Sequence, residues 1–445
     1  MSKRHIAVLV MLILASGFAL IWGLILARAS TGTMLDYQVV YTGARCFIQH
    51  CDPYNEAEVM RVYFADGGAR IAEEPGQHPH YMIAEQFYPP SAELIFAPFG
   101  ALKWPVAYCL WVALTCILMT VAAFLIWDAA QEYAPDPPFY LACIVLANAG
   151  ILYSSANPAG LAVSLCIIGV WCIAQQRLLA IGVLSLAMSL AIKPHDSGAI
   201  WLALLLLGGV FRKRAIQTLA VVVVFAAAGV FWISQISPGW FGEMRSNILQ
   251  YSTNGSRNDP AGASMLINLQ PVLAAFRNEP HFYNFVSYLT VGLLFVIWIV
   301  ITVRNVDSSK RRWLGLAAVA ALSLLPLYHR SYDAKLLLLT LPACAALWAE
   351  GGLIRWVALT FTASGILITS SLPMAALDIW ANSLSEKPGT ANHILFLAVT
   401  RPAGLVILAV SIFYLWAYAR QNKDNPGAVA ETAKRVQDPV LSSKE

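Results

Sequence analysis

Polar side chains that could do chemistry gather in a few short segments of an otherwise apolar sequence. Lysine and arginine suit a phosphate group, the first as a compact charge and the second as a forked donor. A carboxylate near them suits general base work on a hydroxyl. These segments predict a phosphate-binding recess with a base beside it, and the residues concerned are Asp36, Tyr88, Asn157, Lys193, His195, Asp196, His329, Arg330, Tyr332 and Asp333.

The composition places these segments in a membrane protein. Of 445 residues, 58% are hydrophobic and 12% charged, against about 25% charged in soluble domains. The mean hydropathy is +0.63. A net charge of +4 that is spread along the chain gives no reason to expect nucleic acid as a partner.

Apolar stretches bounded by charge, proline or glycine predict an all-α polytopic protein with about twelve transmembrane helices. The first apolar run, 6–27, is longer than the core of a signal peptide, which is the alternative reading, so we expect a retained helix. The predicted helices are 6–28, 105–127, 138–153, 158–174, 178–192, 196–210, 215–236, 283–303, 313–327, 334–348, 352–371 and 393–418.

The distribution of lysine and arginine predicts that both termini are cytoplasmic. The basic clusters at 211–214 and 308–312 then face inward. Two long polar segments, 29–104 and 237–282, become outer loops. We expect one transmembrane domain over 1–419 and a disordered cytoplasmic tail over 420–445.

Four predicted helices have only 15 residues, about 22 Å of helix against a hydrocarbon core of about 30 Å. They flank the segments IKPHD (192–196) and YHRSYD (328–333). If their inner ends lie at the cytoplasmic surface, both segments stop short of the outer surface and line a recess. The alternative is that these helices extend by a polar turn, which Pro194 and Pro326 disfavour.

The first outer loop shows helix signals of its own. Asp36 can cap an amphipathic segment that ends near Gln49, and Asn55 with Glu58 resembles a capping box. We therefore expect amphipathic helices in this loop. The outer side is oxidising, which permits a disulfide between Cys46 and Cys51. Two free thiols are the alternative.

Several motifs resemble glycosyltransferase family 87, whose members are polyprenyl-phosphate-sugar dependent membrane enzymes of the GT-C class and include mannosyltransferases. The similar segments are MLDYQVVYTGARCF at 34–47, CDPYN at 51–55, FYPPSAELIFAPFGAL at 87–102, IKPHD and YHRSYD. The resemblance implies a GT-C-like bundle. It also implies inverting, metal-independent transfer of a single sugar, with mannose expected, from a polyprenyl-phosphate donor to a hydroxyl of a lipid-linked or glycan acceptor, without a cofactor.

The resemblance also implies roles for individual residues. Asp36 is expected to be the catalytic base. Lys193, Arg330, His195 and His329 are expected to bind the donor phosphate. The candidate substrate contacts are Tyr37, Tyr88, Asn157, Asn268 and Asp333.

Two departures from the family pattern concern these candidates. Ala156-Asn157-Pro158 stands where the family has a Gly-Gln pair. Asn268 lies in a segment, 263–273, that matches only loosely.

Two other functions compete with this one. A transporter or flippase of lipid-linked or anionic substrates would also have broken helices and buried polar groups, but no internal repeat is evident. A ligase that transfers an assembled glycan would share the lipid-phosphate donor. For the enzyme we expect a bacterial-type plasma membrane and an active site on the extracytoplasmic side.

Overall fold

The computed structural model describes residues 2–29, 35–68, 83, 86–251, 258–261, 266–304, 308–370 and 402–421. Within these residues the regular structure is helical, and the β pairing is limited to one isolated bridge between Leu266 and Arg330. The predicted all-α class is confirmed. The first part of the last predicted helix and the tail from 422 onward lie outside the described residues.

The helices of the first half of the chain follow one another closely. They are α1 (Lys3–Ala29), α2 (Leu35–Ile48), α3 (Glu56–Ala65), α4 (Pro90–Gly100), α5 (Trp104–Ala130), α6 (Asp136–Ala147), α7 (Gly150–Ser155), α8 (Ala159–Ala174), α9 (Leu179–Ile192) and α10 (Pro194–Leu207).

In the second half, the described residues include one 3₁₀ helix among the α-helices. The elements are α11 (Gly209–Ile236), α12 (Trp240–Tyr251), α13 (Gln270–Phe276), α14 (Pro280–Val303), α15 (Ser309–Ser323), the 3₁₀ helix (Asp333–Thr340), α16 (Leu341–Glu350), α17 (Gly352–Ile368) and α18 (Pro402–Arg420).

Among the described residues, six helical segments are long and apolar enough to cross a membrane: Lys3–Arg28, Trp104–Ala130, Asp136–Ser155, Gly209–Ile236, Pro280–Val303 and Pro402–Arg420. The chain is therefore a multi-pass membrane protein, as its composition predicts. The other predicted spans coincide with shorter helices. The total of twelve crossings stays a prediction.

One of the short apolar helices, α8, lies in the interior of the bundle. Every residue of α8 is buried, and α8 packs against α5, α9 and the 3₁₀ helix. A helix that is apolar on all sides is stable only when neighbours cover all of it. Such helices can be shorter than the bilayer, because other helices separate them from lipid.

The first helix belongs to this bundle. It packs against α5, α6 and α7, and the Ser16 and Thr120 hydroxyl oxygens lie 2.6 Å apart in a buried hydrogen bond. The retention of this helix in the mature protein stays a prediction.

The two polar junctions differ from the predicted loops between helices. Lys193 alone separates α9 from α10, because Pro194 takes the first helical position of α10, where its missing N–H costs nothing. The predicted helix 334–348 begins instead as the 3₁₀ helix at Asp333 and continues as α16. Both junctions bring charged side chains into the interior.

The first predicted outer loop contains helices α2, α3 and α4. Asn55 caps α3 through its side-chain oxygen, which accepts from the backbone N–H groups of Ala57 and Glu58. The Glu58 carboxylate, however, accepts from the N–H of Asp52, so the capping box is only half formed. Cys46 and Cys51 are paired in a disulfide, with Cα atoms 5.0 Å apart.

Close packing fixes α4 between α2 and α11. A Cβ on Gly229 of α11 would lie 2.5 Å from the carbonyl oxygen of Pro90. A Cβ on Gly100 would lie 2.7 Å from the backbone of Ala44 and Arg45 in α2. Only glycine permits these approaches, which hold the QFYPP segment before α4 in place.

Candidate active site

A cavity of about 650 Å³ lies where the polar segments meet. Its wall is built by the start of α2, the segment before α4, the α7–α8 turn, the junction at Lys193, the second loop region and the chain around 327–332. Most of its lining is apolar or aromatic. The predicted site residues on the wall are Asp36, Tyr88, Asn157, Lys193, His195 and Asn268.

Asp36 is held by an amide from a distant part of the chain. It lies in the first turn of α2, so it is within the helix and does not precede it as the predicted cap. Asn157 Nδ2 donates a 2.8 Å hydrogen bond to Asp36 Oδ2. Within the part of the chain that the structure describes, the other carboxylate oxygen has no hydrogen bond to a side chain. The bond from Asn157 fixes the orientation of the carboxylate.

The backbone at the α7–α8 turn orients this amide. Ala156 adopts a left-handed conformation, with φ of +50°, which is uncommon for a residue other than glycine. Its carbonyl oxygen accepts a 3.0 Å hydrogen bond from Trp111 Nε1. Asn157 Oδ1 accepts from the N–H of Ala159 at 2.8 Å, so both ends of the amide are engaged.

Lys193 is the buried cation of the site. Its Nζ lies 2.9 Å from Asp333 Oδ1 and 3.9 Å from Asp196 Oδ2, and its side chain is only 5% exposed. The ammonium also lies 5.1 Å from the centre of the Tyr332 ring. Asp36 is near enough to interact electrostatically with Lys193. A carboxylate and an ammonium therefore share one wall of the cavity.

Arg330 lies at the start of the turn that leads into the 3₁₀ helix. Its backbone N–H donates to Asp333 Oδ2 at 2.8 Å, so Asp333 joins Arg330 to Lys193. Its guanidinium donates to Asn258 Oδ1 at 2.9 Å, and Asn258 lines the cavity. Arg330 itself stands behind the wall.

The two predicted histidines flank Asp196 at the edge of the cavity. His195 Nε2 lies 3.5 Å and His329 Nε2 lies 3.4 Å from Asp196 Oδ1. The imidazole rings are 5.2 Å apart in an edge-to-face arrangement. His195 reaches the wall, whereas His329 and Asp196 are fully buried behind it.

Not every predicted candidate reaches the cavity. Tyr37 points into an aromatic cluster, with ring centres 5.0 Å from Trp111 and 5.4 Å from Trp104, and burial raises the pKa of its hydroxyl. The periodicity of α2 explains this, because Tyr37 follows Asp36 and so faces another side of the helix. Asp333 is also fully buried and acts on the cavity only through Lys193.

Asn268 and Tyr88 lie on the cavity wall, and different hydrogen bonds hold them there. Asn268 Nδ2 donates to Gln270 Oε1 at 2.6 Å, and Gln270 Nε2 in turn donates to the carbonyl of Pro326. The carbonyl of Tyr88 accepts a 2.7 Å hydrogen bond from the Tyr54 hydroxyl. The first contact holds the side chain of Asn268, and the second holds the backbone at Tyr88.

A buried carboxyl lies beneath the Tyr88 segment. Glu93 of α4 is fully buried, and neither of its carboxyl oxygens makes a hydrogen bond within the described residues. Burial raises the pKa of Glu93 well above its ordinary value. The pKa of the Tyr54 hydroxyl is also well raised, by burial first and then by the nearby Glu93 and Asp52.

Several cavity residues were not among the sequence candidates. They share polar or aromatic side chains and come mainly from the second loop region and α14: Asn258, Gln270, Tyr283, Asn284, Tyr288 and Tyr328. No local pattern distinguishes them from other loop residues. Only Tyr328 could have been selected from the sequence, because it is the first residue of the polar segment YHRSYD.

The fold and the cavity together define a multi-pass membrane protein with an internal cavity that is lined by aromatic, apolar and a few charged side chains. The chain matches glycosyltransferase family 87 over residues 87–328, more than half of its length, and it belongs to that family. The family consists of GT-C-type membrane glycosyltransferases. The protein is therefore a membrane glycosyltransferase.

The matched range covers only part of the candidate site. Tyr88, Asn157, Lys193, His195 and Asn268 lie inside it. The start of α2 precedes it, and the chain from His329 onward follows it. A search of curated proteins and one of solved structures each found no significant match.

Proposed function

We propose that the protein transfers a single sugar, mannose in the first instance, from a polyprenyl-phosphate donor to a hydroxyl of a lipid-linked or glycan acceptor. The transfer takes place on the outer face of a plasma membrane and inverts the anomeric centre. One observation carries the proposal: the Asp36 carboxylate and the Lys193 ammonium lie on the wall of the same cavity.

The reaction assigned to these groups is a single displacement. The acceptor oxygen forms a bond to the anomeric carbon while its proton passes to the Asp36 carboxylate. The bond between the anomeric carbon and the phosphate oxygen breaks, and polyprenyl phosphate leaves with additional negative charge. Cations placed where charge develops stabilise a transition state strongly, which is the role proposed for Lys193. Arg330 is proposed to assist from behind the wall, where its guanidinium donates to Asn258.

Inversion agrees with the number of carboxylates at the wall. A covalent, retaining route needs a nucleophile as well as an acid or base. Among the described residues that line the cavity, Asp36 is the only carboxylate. Asp196 and Asp333 are buried behind Lys193 and interact with it.

The size of the cavity favours transfer of one sugar. Small-molecule sites have volumes of about 300–1,000 Å³, and this cavity has about 650 Å³. A sugar phosphate fits this range better than an assembled glycan, the donor of a ligase. Tyr88, Asn157 and Asn268 are proposed to contact the substrates, and His195 lies beside the proposed phosphate position.

The test is Asp36→Asn, assayed for sugar transfer in membranes supplied with polyprenyl-phosphomannose. We expect a loss of about 10²- to 10⁴-fold or more, because removal of a general base costs that much. The matched control is Asp136→Asn, an exposed aspartate that pairs with Arg4 on the surface. Size-exclusion profiles and thermal unfolding verify that both variants fold.

An unaltered rate in Asp36→Asn would refute the assignment of the base. If wild-type protein transferred no sugar but moved the lipid across vesicle membranes, the transporter would be the correct function. Comparison of the anomeric configurations of donor and product by NMR tests inversion separately.

A further inference from the structure

The cluster of His195, Asp196 and His329 brings two imidazoles and one carboxylate together in the interior of the protein. His329 and Asp196 are 0% exposed. His195 Nε2, His329 Nε2 and both Asp196 oxygens are buried atoms that make no hydrogen bond of good geometry within the described residues. Buried polar atoms without a partner are costly, so a missing ligand is a physical explanation.

The hydrogen bonds of His329 indicate which of its ring nitrogens carries the proton. Its Nδ1 lies 3.0 Å from the carbonyl oxygen of Leu327. A carbonyl can only accept, so Nδ1 carries the proton and neutral imidazole leaves a lone pair on Nε2. That lone pair faces Asp196 Oδ1, also an acceptor. Two acceptors face each other unless a proton or a cation lies between them.

The same contact is typical of histidines that bind metal. A metal-ligating histidine almost always donates its other ring N–H to a carbonyl or carboxylate, which fixes the tautomer. His329 has this outer contact already. Asp196 has a comparable one, because its second oxygen, Oδ2, faces the Lys193 ammonium at 3.9 Å.

The distances between the three donor atoms favour a shared metal ion. Ligands at about 2.0–2.2 Å from one tetrahedral zinc ion lie about 3.3–3.5 Å from each other. The two Nε2 atoms lie 3.4 and 3.5 Å from Asp196 Oδ1. These separations exceed the usual 2.7–3.2 Å of an N–H···O hydrogen bond, and all three donor atoms lie within 4.8 Å of one another.

We propose that His195, Asp196 and His329 bind one Zn²⁺ ion at the edge of the cavity. Two imidazoles and a carboxylate are a donor set that suits zinc, and three protein ligands leave a fourth position open. His195 lines the cavity, so a ligand in the cavity can approach that side. The proposal does not rest on sugar transfer, and it departs from the metal-independent reaction that the family resemblance implies.

The test measures the metal directly. Purified protein is treated with a chelator, titrated with Zn²⁺ alone and analysed by inductively coupled plasma mass spectrometry after gel filtration. We expect one zinc ion per chain. In His195→Ala and Asp196→Asn the affinity should fall by at least about 100-fold, because loss of an outer-shell partner alone costs 10- to 100-fold.

Two controls separate this site from other zinc ligands. His281→Ala removes an exposed histidine at the start of α14 and should keep one zinc ion per chain. Cys46, Cys51 and Glu58 form another group of potential ligands. The titration is therefore repeated in a Cys46→Ser/Cys51→Ser background, where the stoichiometry should be unchanged.

A second measurement needs no variant at this site. Co²⁺ bound to wild-type protein should give the intense visible absorption of a four-coordinate ion with nitrogen and oxygen ligands. Absence of zinc from wild-type protein, or equal zinc in wild type and His195→Ala, would overturn the proposal. His329 would then be an imidazolium that donates to both Leu327 and Asp196.

Discussion

Asn157 donates a hydrogen bond of 2.8 Å to Asp36, although 121 positions separate them in the sequence. The contact joins the α7–α8 turn to the first turn of α2. It brings an amide whose oxygen also accepts from the N–H of Ala159 in α8 to the carboxylate proposed as the catalytic base. Asn157 is therefore a positioning residue for Asp36 as well as a candidate substrate contact.

Replacement of Asn157 by alanine should lower kcat more than it changes the donor KM. A hydrogen bond to a charged group contributes about 1.5–3 kcal/mol, which corresponds to about 10- to 150-fold in rate. Steady-state kinetics with polyprenyl-phosphomannose measure both constants. Asn148→Ala, at the end of α6 and away from the cavity wall, is the control. A change confined to KM would show that Asn157 only binds substrate.

Replacement of Lys193 by methionine should reduce both stability and transfer. The substitution leaves the buried Asp333 without its ammonium partner at 2.9 Å, and breaking a buried ion pair in this way costs about 3–5 kcal/mol. The free energy of unfolding in detergent and the donor kinetics are the measurements.

The double variant Lys193→Met/Asp333→Asn separates these two effects. Removal of both charges should recover at least half of the lost stability, because Asp333, the nearer of the two carboxylates that face Lys193, is no longer a buried charge without a partner. Transfer should stay low, because the donor phosphate still lacks its cation. Recovery of activity together with stability would show that Lys193 has only a structural role.

The buried carboxyl of Glu93 predicts a pH-dependent stability. Its pKa is higher in the folded protein than in the unfolded chain, where a glutamate titrates near about 4.3. The contribution of Glu93 to stability is therefore most favourable below that pH and is lost as the pH rises toward the folded pKa. Glu93→Gln should remove this loss.

Unfolding of wild type and Glu93→Gln between pH 5 and pH 8 measures the effect. The advantage of the variant should grow with pH by up to about 1.4 kcal/mol per unit until the folded pKa is reached. Glu56→Gln, on the exposed first turn of α3, should follow wild type. Parallel curves for all three proteins would mean that Glu93 has no raised pKa.

The disulfide between Cys46 and Cys51 can be tested by mass spectrometry. Cleavage after Arg45 and Arg61 releases a peptide with both cysteines, which should be lighter by two hydrogens before reduction. Oxidation here also supports the predicted outer location of α2, since disulfides persist in oxidising compartments.

Loss of the disulfide should have a moderate effect on stability. A bridge that closes so short a loop contributes about 2 kcal/mol in the chain-entropy account. Cys46→Ser/Cys51→Ser should lower the free energy of unfolding by that amount and leave transfer intact. Alkylation of both thiols in native, unreduced protein would contradict the pairing.

Composition and local pattern determined much about this protein. The excess of apolar residues required a bilayer, and a bilayer requires helices that satisfy their own backbone groups. Proline and capping residues predicted several boundaries, including Asn55 before α3. Asp36, Lys193 and His195 could be selected as candidates because few ionisable residues lie near the apolar segments. Such residues need partners or water there.

Only the tertiary structure decided which of these groups meet. Tyr37 follows Asp36 in the family motif, but the turn of the helix directs it into an aromatic cluster. His329 and Asp333 belong to the polar segments, yet packing buries both behind Lys193. Asp36 meets Asn157, and Asp196 meets His329, only because side chains from distant helices pack against one another. No local segment of the sequence contains that information.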